Sequence, residues 1–562
     1  MNTKASAQNP PLLTALEISS ETQGIERHVN SWASPPDAKQ LTRLSFVDQL
    51  DEGGQKNCKS LMRFGRWISL CAACISFFLA MTLEDKIARG GMCLLTMAIV
   101  WISELIQLEV SGLIPVFLYA AAGILGEKDS AANFWKPSSF LFAVGFLMGI
   151  SIERWDVHKR ITATMVLCAG ENVSLLLFMM MFAVYLLSMW ISNTATILCM
   201  LPVVRSFLAK VDDKHKDFKG AMLLAVGWSA TIGGLSTPVG TPTNILFLGI
   251  YEDNWNSKFE FGTFMAFAIP ISFLLLITAW LLVCWWHVWG KEKIKVDVQI
   301  FRDVKRELGR MKYEEYVVTI YVVILVVFWC FSSLLKKHII PMKKMGSASV
   351  GLFWTMPLFF IPTKNKKLEK SADGKKMVPA KHILDWSYAM PRFKWQILFV
   401  FGGGFIVAHG TKESGFAKWV ASLMSPMPEL ALVAVVVFVI CFLTEVISNM
   451  ACVQIFGPIL ISVAVEMCIS PLKMLLVVCF ASSYAFMMPM AGGPNMLVYG
   501  TGEDFDLKFM IKHGFVLNIF ACIVGTLYLQ YILPAILNPA QYGPPKMEGN
   551  GTLPVCGDPQ PW

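Results

Sequence analysis

Residues 188–196 read Ser-Met-Trp-Ile-Ser-Asn-Thr-Ala-Thr, a polar cluster with long hydrophobic runs on both sides. Polar groups in such surroundings are costly unless they hydrogen-bond or bind something. A second cluster, Thr444-Glu-Val-Ile-Ser-Asn-Met-Ala451, lies in the same kind of setting. In both clusters a hydroxyl residue, Ser188 or Thr444, precedes the Ser-Asn pair by the same number of residues. Two copies of one unusual motif predict an internal repeat whose halves share a binding site.

The composition is that of a membrane protein. Of the 562 residues, 55% are hydrophobic and only 16% are charged, and the mean hydropathy is +0.55. Crossing a bilayer core of about 30 Å takes about 20 apolar residues per helix. Segments of that kind recur from about residue 64 to residue 533. They predict an all-α polytopic membrane protein with about 11 transmembrane helices and additional re-entrant segments.

The net positive charge is placed in loops and tails. The formal net charge of +8 is therefore solvated, and we expect no nucleic-acid partner. Basic residues from Lys56 to Arg66 precede the first span and predict a cytoplasmic N-terminus. The sequon Asn550-Gly-Thr552 predicts glycosylation at Asn550 and an extracellular C-terminus. We expect a multi-pass protein of the plasma membrane.

The predicted spans show no signal for catalysis. They hold no paired aspartates, no Ser/Lys pair and no histidine cluster with metal-ligand spacing, so we expect a transporter and not an enzyme. The 14 cysteines are scattered through apolar segments and are interpreted as small buried hydrophobic residues.

A second pair of motifs interrupts the apolar helices of the two halves. Gly233-Gly-Leu-Ser-Thr-Pro-Val-Gly-Thr-Pro-Thr-Asn244 breaks one run, and Pro489-Met-Ala-Gly-Gly-Pro-Asn495 stands in the corresponding place. Glycine and proline do not continue a straight helix cheaply. Breaks at matching positions of two halves are the best indication in a sequence of a carrier's binding site.

The chain divides at these repeats into five segments. They are a disordered cytoplasmic tail (1–63), a first repeat half (64–290), a basic amphipathic connector (291–313), a second repeat half (314–535) and an extracellular tail (536–562).

A helix that ends beside Asn193, followed by a helix that begins there, would expose free carbonyl and free N–H groups. N–H groups at a helix start bind anions. Carbonyl, hydroxyl and amide oxygens suit a hard cation such as Na⁺. Serine and threonine in membrane helices also bond only to neighbouring backbone, but the duplication of the cluster favours a binding site.

Glu445 is the most conspicuous acidic residue inside the spans, and its counterpart in the first half is Met189. A proton relay is one role open to it. A scaffold hydrogen bond is the interpretation we favour.

The motifs resemble those of the divalent anion/sodium symporter family, which contains sodium-coupled dicarboxylate, citrate and sulfate carriers. The resemblance covers nearly all of residues 65–535. It rests on Ser192-Asn-Thr194, Ser448-Asn449, Gly240-Thr-Pro-Thr-Asn244, Phe401-Gly-Gly-Gly-Phe405, and Ala481-Ser-Ser-Tyr-Ala-Phe486 with Pro494-Asn495. It implies a homodimeric carrier in the lipid bilayer, built from two inverted repeats. A scaffold domain would hold a transport domain that moves as an elevator.

The resemblance also implies which residues bind ion and substrate. Sodium sites map onto Ser188, Asn193, Gly240, Thr444, Asn449 and Ala491. Substrate contacts map onto Ser192, Asn193, Thr194, Ser448 and Asn449, and we add Met450 and Gly493 as facing the same pocket.

The sequence departs from the family pattern in three places. Met450 replaces a threonine, Thr243 stands where a second proline is common, and Gly492-Gly493 replaces a Thr-Pro pair. These changes leave the choice of substrate open.

The leading hypothesis is a sodium-coupled symporter that imports di- or tricarboxylates of the succinate and citrate class, with Na⁺ as the co-transported ion. A sodium-coupled sulfate carrier is the runner-up. A sodium-independent carboxylate anion exchanger is a further alternative. A proton-coupled carrier and an ion channel are two others.

Overall fold

The computed structural model describes residues 52–537, apart from 256–257, 293, 295, 333–344, 366–367, 371–376, 425–426 and 501–504. The predicted glycosylation site at Asn550 and most of both predicted tails lie outside these residues. The regular structure of the described residues is helical, apart from two short antiparallel strands, β1 (Leu368–Lys370) and β2 (Met377–Pro379).

The first part of the chain forms a short 3₁₀-helix (Asp213–His215) and twelve α-helices among the described residues. In chain order they are α1 (Glu52–Thr82), α2 (Lys86–Ile102), α3 (Leu108–Ser111), α4 (Ile114–Ala121), α5 (Glu127–Phe134), α6 (Pro137–Arg154), α7 (Val157–Cys168), α8 (Val173–Ser188), α9 (Asn193–Leu208), α10 (Lys216–Gly234), α11 (Pro242–Trp255) and α12 (Phe261–His287). Helix α1 begins at Glu52, inside the stretch that the sequence predicts to be a tail.

The second part of the chain continues the series. Its helices are α13 (Gln299–Leu308), α14 (Tyr313–Cys330), α15 (Ser347–Thr355), α16 (Trp386–Ala389), α17 (Trp395–Glu413), α18 (Phe416–Ser422), α19 (Glu429–Leu443), α20 (Asn449–Glu466), α21 (Pro471–Ala481), α22 (Gly493–Tyr499), α23 (Leu507–Leu527) and α24 (Leu533–Ile536).

Among the described residues, 6 helical segments are long and apolar enough to cross a membrane, and further apolar helices are shorter. The chain is therefore an all-helical polytopic membrane protein, as predicted. The short helices arise where polar motifs stop a helix inside apolar sequence. Helix α8 ends at Ser188 and α9 begins at Asn193, which divides one hydrophobic stretch into two pieces.

The two halves of the chain match in the positions of their helix ends. Helices α6 and α17 end at positions 154 and 413, and the helices that follow them, α7 and α18, begin at 157 and 416, so both pairs share one offset. The residues at the two joints, Asp156 and Gly415, have the same offset, and both have left-handed φ angles, 58° and 79°. The starts of α9 and α20, at 193 and 449, have nearly the same separation. The helix ends therefore repeat in step with the sequence motifs.

Consecutive glycines allow α17 to pack closely against its neighbours. A Cβ atom at Gly403 would lie 2.3 Å from the carbonyl oxygen of Gly112, and one at Gly404 would lie 2.0 Å from Nε2 of Gln454. Gln454 on α20 donates from Nε2 to the carbonyl oxygen of Val400 at 2.9 Å. The helix that begins at the second polar motif therefore packs directly on α17.

The predicted connector contains α13, whose apolar side chains Phe301 and Val304 are buried. The ring of Phe301 lies 6.0 Å from the ring of Phe207 on α9, centroid to centroid. The apolar side of this basic helix therefore packs on protein.

Several cysteines depart from the prediction that all of them are small buried hydrophobic residues. Cys468 is disulfide-bonded. Of the free cysteines, Cys93, Cys441 and Cys479 are buried as predicted, whereas Cys71 and Cys74 are exposed.

Candidate functional site

The polar motifs of the two halves meet at one cavity with a volume of about 740 Å³. The predicted site residues on its wall are Ser192, Asn193, Thr194, Gly240, Ser448, Asn449, Met450, Ala491 and Gly493. The two remaining predicted residues, Ser188 and Thr444, are fully buried behind this wall and contact the side chains of Asn193 and Asn449. The structure therefore brings the predicted residues together.

Two helices begin at the cavity wall. Helix α9 begins at Asn193 and α20 begins at Asn449. Their N-cap residues are Ser192, whose Oγ accepts from the Ala195 N–H at 3.4 Å, and Ser448, whose side chain makes no capping bond. The first N–H groups of a helix lack intrahelical partners and carry partial positive charge. The cavity is thus suited to an anion at two places.

Four oxygen atoms of the first half crowd together beside Asn193. Oγ of Ser188 lies 2.8 Å from Oδ1 of Asn193 and 2.6 Å from the carbonyl oxygen of Ala230. Oδ1 of Asn193 also lies 3.2 Å from the carbonyl oxygens of Ala230 and Gly240. One hydroxyl proton cannot serve all these acceptors. If the Asn193 amide were reversed, its NH₂ group would donate to the oxygens of Ser188, Ala230 and Gly240. A cation bound among the four oxygens would also satisfy the cluster.

The second half repeats this arrangement around Asn449. Oγ1 of Thr444 lies 2.8 Å from Oδ1 of Asn449 and 2.8 Å from the carbonyl oxygen of Ser482. Thr444 is the repeat counterpart of Ser188, and a backbone carbonyl of the neighbouring helix segment completes the group in both halves. A hydroxyl, an amide oxygen and a carbonyl oxygen therefore converge twice.

Two buried asparagines hold the broken loops in shape. Asn244 donates from Nδ2 to the carbonyl oxygens of Gly234 and Thr237, at 3.2 and 2.8 Å. Asn495 donates from Nδ2 to the carbonyl oxygens of Ala485 and Met488, at 2.9 and 3.1 Å. In both loops the two acceptors precede the asparagine by the same numbers of positions, so the hydrogen bonds themselves are repeated. These asparagines are part of the scaffold of the site and do not line the cavity.

Glycines permit the loops to approach the polar clusters. A Cβ atom at Gly234 would lie 2.4 Å from Oδ1 of Asn193, and one at Gly493 would lie 2.3 Å from Oγ1 of Thr194. Gly493 thus brings the second-half loop against the first-half motif, which gives one of the departures from the family pattern a structural role. Thr243, another departure, forms a hydroxyl contact of 3.1 Å with Ser483.

Glu445 is a hydrogen-bond acceptor for the second broken loop. Its carboxylate accepts from the N–H groups of Phe486, Met487 and Met488 at 2.8, 2.9 and 2.8 Å, and from Nδ2 of Asn518 at 2.6 Å. In the first half the corresponding loop is held by Thr237, whose Oγ1 donates to the Met189 carbonyl at 2.6 Å. The contacts are those of a scaffold group.

The cavity wall also contains residues that the sequence motifs did not indicate. They include Phe146, Glu153 and Lys394. Gly145 and Gly149 on α6 also line it, and the repeat relation of Gly145 to Gly404 on α17 was the signal that could have placed α6 beside the site. No motif pointed to Lys394, which reaches the wall from the loop before α17.

The helical architecture and the cavity between duplicated helix breaks define the chain as a polytopic membrane transporter. The family model for the sodium:sulfate symporter transmembrane region matches residues 64–533. The chain belongs to this family, whose members are transporters and not enzymes.

Similar proteins include bacterial carriers. The sodium-dependent dicarboxylate transporter SdcS of Staphylococcus saprophyticus is 29% identical over 523 residues, covering 87% of this chain and 98% of that protein. SdcS of Staphylococcus aureus is 31% identical over 452 residues, covering 78% and 84%. A structure of the Neisseria gonorrhoeae efflux pump MtrF aligns with a TM-score of 0.45 and 12% identity over 82% of this chain and 98% of that chain, which is too distant to assign a fold.

Proposed function

We propose that the protein is a sodium-coupled symporter that carries di- or tricarboxylates into the cell. The observation that carries the proposal is the pair of oxygen clusters around Asn193 and Asn449, each at the start of a helix on one shared cavity. The names of the relatives support a dicarboxylate as the substrate class.

Sodium is assigned to the two oxygen clusters. Ligands in the first half are Ser188, Asn193 and Gly240, and those in the second are Thr444, Asn449 and Ala491. Two oxygens 3.2 Å apart, as Asn193 Oδ1 and the Gly240 carbonyl are, can both contact one ion at ~2.3–2.6 Å, the range of calcium–oxygen bonds. The cavity has the neutral oxygen donors that such a hard cation prefers.

The carboxylates of the substrate are assigned to the starts of α9 and α20. Ser192, Asn193 and Thr194 contribute on one side, and Ser448, Asn449, Met450 and Gly493 on the other. A bound Na⁺ beside each asparagine would add positive charge to the free N–H groups there. Anion binding would therefore depend on cation binding without a charged side chain in either motif.

Transport is assigned to the movement of one body against another in each protomer of a homodimer. The broken helices and their loops would form the moving transport domain, and α17, with its consecutive glycines, would belong to the scaffold. The contact of Gln454 with the Val400 carbonyl would lie at the sliding surface. We place the protein in the plasma membrane, with a cytoplasmic N-terminus and a glycosylated extracellular C-terminal tail.

Sulfate is the second candidate substrate, because the matching family model is described as a sodium:sulfate symporter. Both anions would use the same N–H groups and the same coupled ions. A sulfate ion is smaller than a dicarboxylate, and the cavity of about 740 Å³ has room for either.

The test is uptake of labelled succinate, citrate and sulfate into proteoliposomes with an inward Na⁺ gradient, compared with the same liposomes in which choline replaces Na⁺. We expect carboxylate uptake that requires Na⁺. Uptake of sulfate alone would select the second candidate. Carboxylate uptake that ignores Na⁺ and requires an anion inside would show an exchanger and overturn the proposal.

A further inference from the structure

Two lysines occupy corresponding positions at the starts of repeat-related helices. Lys136 is the N-cap residue of α6, and Lys394 is the N-cap residue of α17. Along the chain, the two lysines are separated by nearly the same number of residues as the last residues of α6 and α17. Neither lysine belongs to a polar motif of the central site.

Lys394 lies on the wall of the central cavity and is half-buried. Among the described residues, no carboxylate forms an ion pair with it. Burial lowers the pKa of the Lys394 ammonium group from its usual range, so its charged form would gain from an anion placed beside it. The cavity wall thus has two cationic residues, Arg66 and Lys394, and Lys394 is the one that occupies the start of a repeat-related helix.

Lys136, in contrast, is buried and ion-paired. Only 5% of this residue is exposed, and its ammonium group is ion-paired with Asp253 and lies 5.0 Å from the centre of the Phe405 ring. Asp253 belongs to α11, the helix that begins directly after the first broken loop. The charge of Lys136 is therefore neutralised by a helix that carries part of the central site. Lys136 borders a second cavity of about 420 Å³.

Lys394 lies beside the second half of α6, because its neighbour Phe393 packs on Phe146 with the ring centroids 5.4 Å apart. This helix has 18 residues and a length of about 27 Å at 1.5 Å per residue. Lys136 stands at its start. Arg154, at its end, donates to the carbonyl of Ile383 and to Asp385, in the segment that leads to Lys394. Glu153, beside Arg154, shares the wall of the central cavity with Lys394.

From this geometry, and resting on the proposed function, we propose that Lys136 and Lys394 are alternating electrostatic guides for the anionic substrate, one for each opening of the central site. In the described conformation, Lys394 serves the open cavity while Asp253 holds Lys136. Movement of α11 with the transport domain would separate Asp253 from Lys136 and free that charge for the opposite opening. A positive charge at a cleft raises the local concentration of anions, and added salt screens the effect.

The first test measures the KM for labelled succinate in proteoliposomes with the full-length Lys394→Gln variant, at fixed Na⁺ and at low and high concentrations of choline chloride. At low salt we expect a KM about tenfold above that of the wild type, the low end of the range for electrostatic steering. At high salt the difference should shrink, and the maximal rate should stay within about twofold. Lys394→Arg should restore the KM.

Lys418→Gln is the matched control, because Lys418 is an exposed lysine on α18 and is not on the wall of the central cavity. It removes the same charge and should leave the KM unchanged. A Lys394→Gln variant with a wild-type KM, or with a defect that salt does not change, would overturn the inference. Loss of Na⁺-coupled uptake in the wild type would instead overturn the proposed function.

The second test asks whether the two positions open alternately. The variants Lys136→Cys and Lys394→Cys are each labelled with a membrane-impermeant thiol reagent from each side, and labelling at each site is read by mass spectrometry. We expect labelling of the two sites from opposite faces, with opposite changes in rate when Na⁺ and succinate are added. Labelling from the same face, or parallel changes, would contradict alternate use.

Discussion

At the scale of single residues, two hydroxyl groups hold the asparagines of the site. Ser188 and Thr444 each contact an asparagine oxygen and a backbone carbonyl, and both are fully buried. A hydroxyl that donates in the absence of an ion can turn its lone pairs towards a bound ion. These two side chains are therefore expected to matter for sodium more than for the anion.

Replacing either hydroxyl should weaken sodium binding. We expect Ser188→Ala and Thr444→Val each to raise the Na⁺ concentration for half-maximal succinate uptake by about tenfold, which corresponds to about 1.4 kcal/mol. Measured at saturating Na⁺, the KM for succinate should change little. Ser229→Ala is the control, because the Ser229 hydroxyl is buried and, within the part of the chain that the structure describes, bonds only the Ala225 carbonyl in its own helix. An unchanged Na⁺ dependence in both variants would argue against the assigned ligands.

Glu445 gives a second prediction at this scale. Glu445→Gln keeps one acceptor oxygen but turns an NH₂ group towards the N–H of Met488. We expect the free energy of unfolding to fall by about 1–3 kcal/mol, the range for an unsatisfied buried group, and uptake to remain dependent on Na⁺. Thermal unfolding in detergent and uptake in proteoliposomes measure the two effects. Full stability with abolished uptake would indicate a proton relay instead of a scaffold role.

At the scale of elements, the second broken loop provides a comparison between adjacent glycines. A Cβ atom at Gly493 would lie 2.3 Å from Oγ1 of Thr194, whereas the nearest atom to one at Gly492 is 3.8 Å away. The φ angle of Gly492 is −174°, which any residue adopts. Only Gly493 is therefore required by the packing of the loop against α9.

We expect Gly493→Ala to reduce the maximal rate of succinate uptake by about tenfold or more, because the loop or Thr194 must shift and small displacements at a site cost about 10²-fold in rate. Gly492→Ala should stay within about twofold of the wild type. Surface expression of both variants is measured with uptake. Equal effects of the two substitutions would show that the close approach has no part in transport.

Elements also show what the sequence could and could not predict. The breaks at Asn193 and Asn449 were predictable because polar residues interrupt apolar runs, and helices α9 and α20 do begin there. The partners of Glu445 were not, because its three N–H donors lie on a distant loop that follows α21. Lys394 gave no signal, because a single lysine before a helix is common and only tertiary packing places it on the cavity wall.

At the scale of the whole molecule, the matching positions in the two halves describe one architecture used twice. Helix ends, a left-handed joint and an asparagine-held loop all recur at closely similar offsets along the chain. The two halves are not identical in their present contacts. Lys394 faces the open cavity, whereas Lys136 is buried with Asp253. Such an asymmetry between matching halves is what an alternating-access carrier would show in one of its states.

The two asparagine clusters are proposed to bind the coupled sodium ions, and this assignment is central to the mechanism. The most direct measurement is the Na⁺ dependence of succinate uptake in the wild type and in the Asn193→Ala and Asn449→Ala variants, with circular dichroism to verify folding. We expect a sigmoidal dependence with a Hill coefficient above 1 in the wild type, and loss of Na⁺-driven uptake in each folded variant. Uptake that keeps the same sigmoidal dependence in both variants would contradict the assignment.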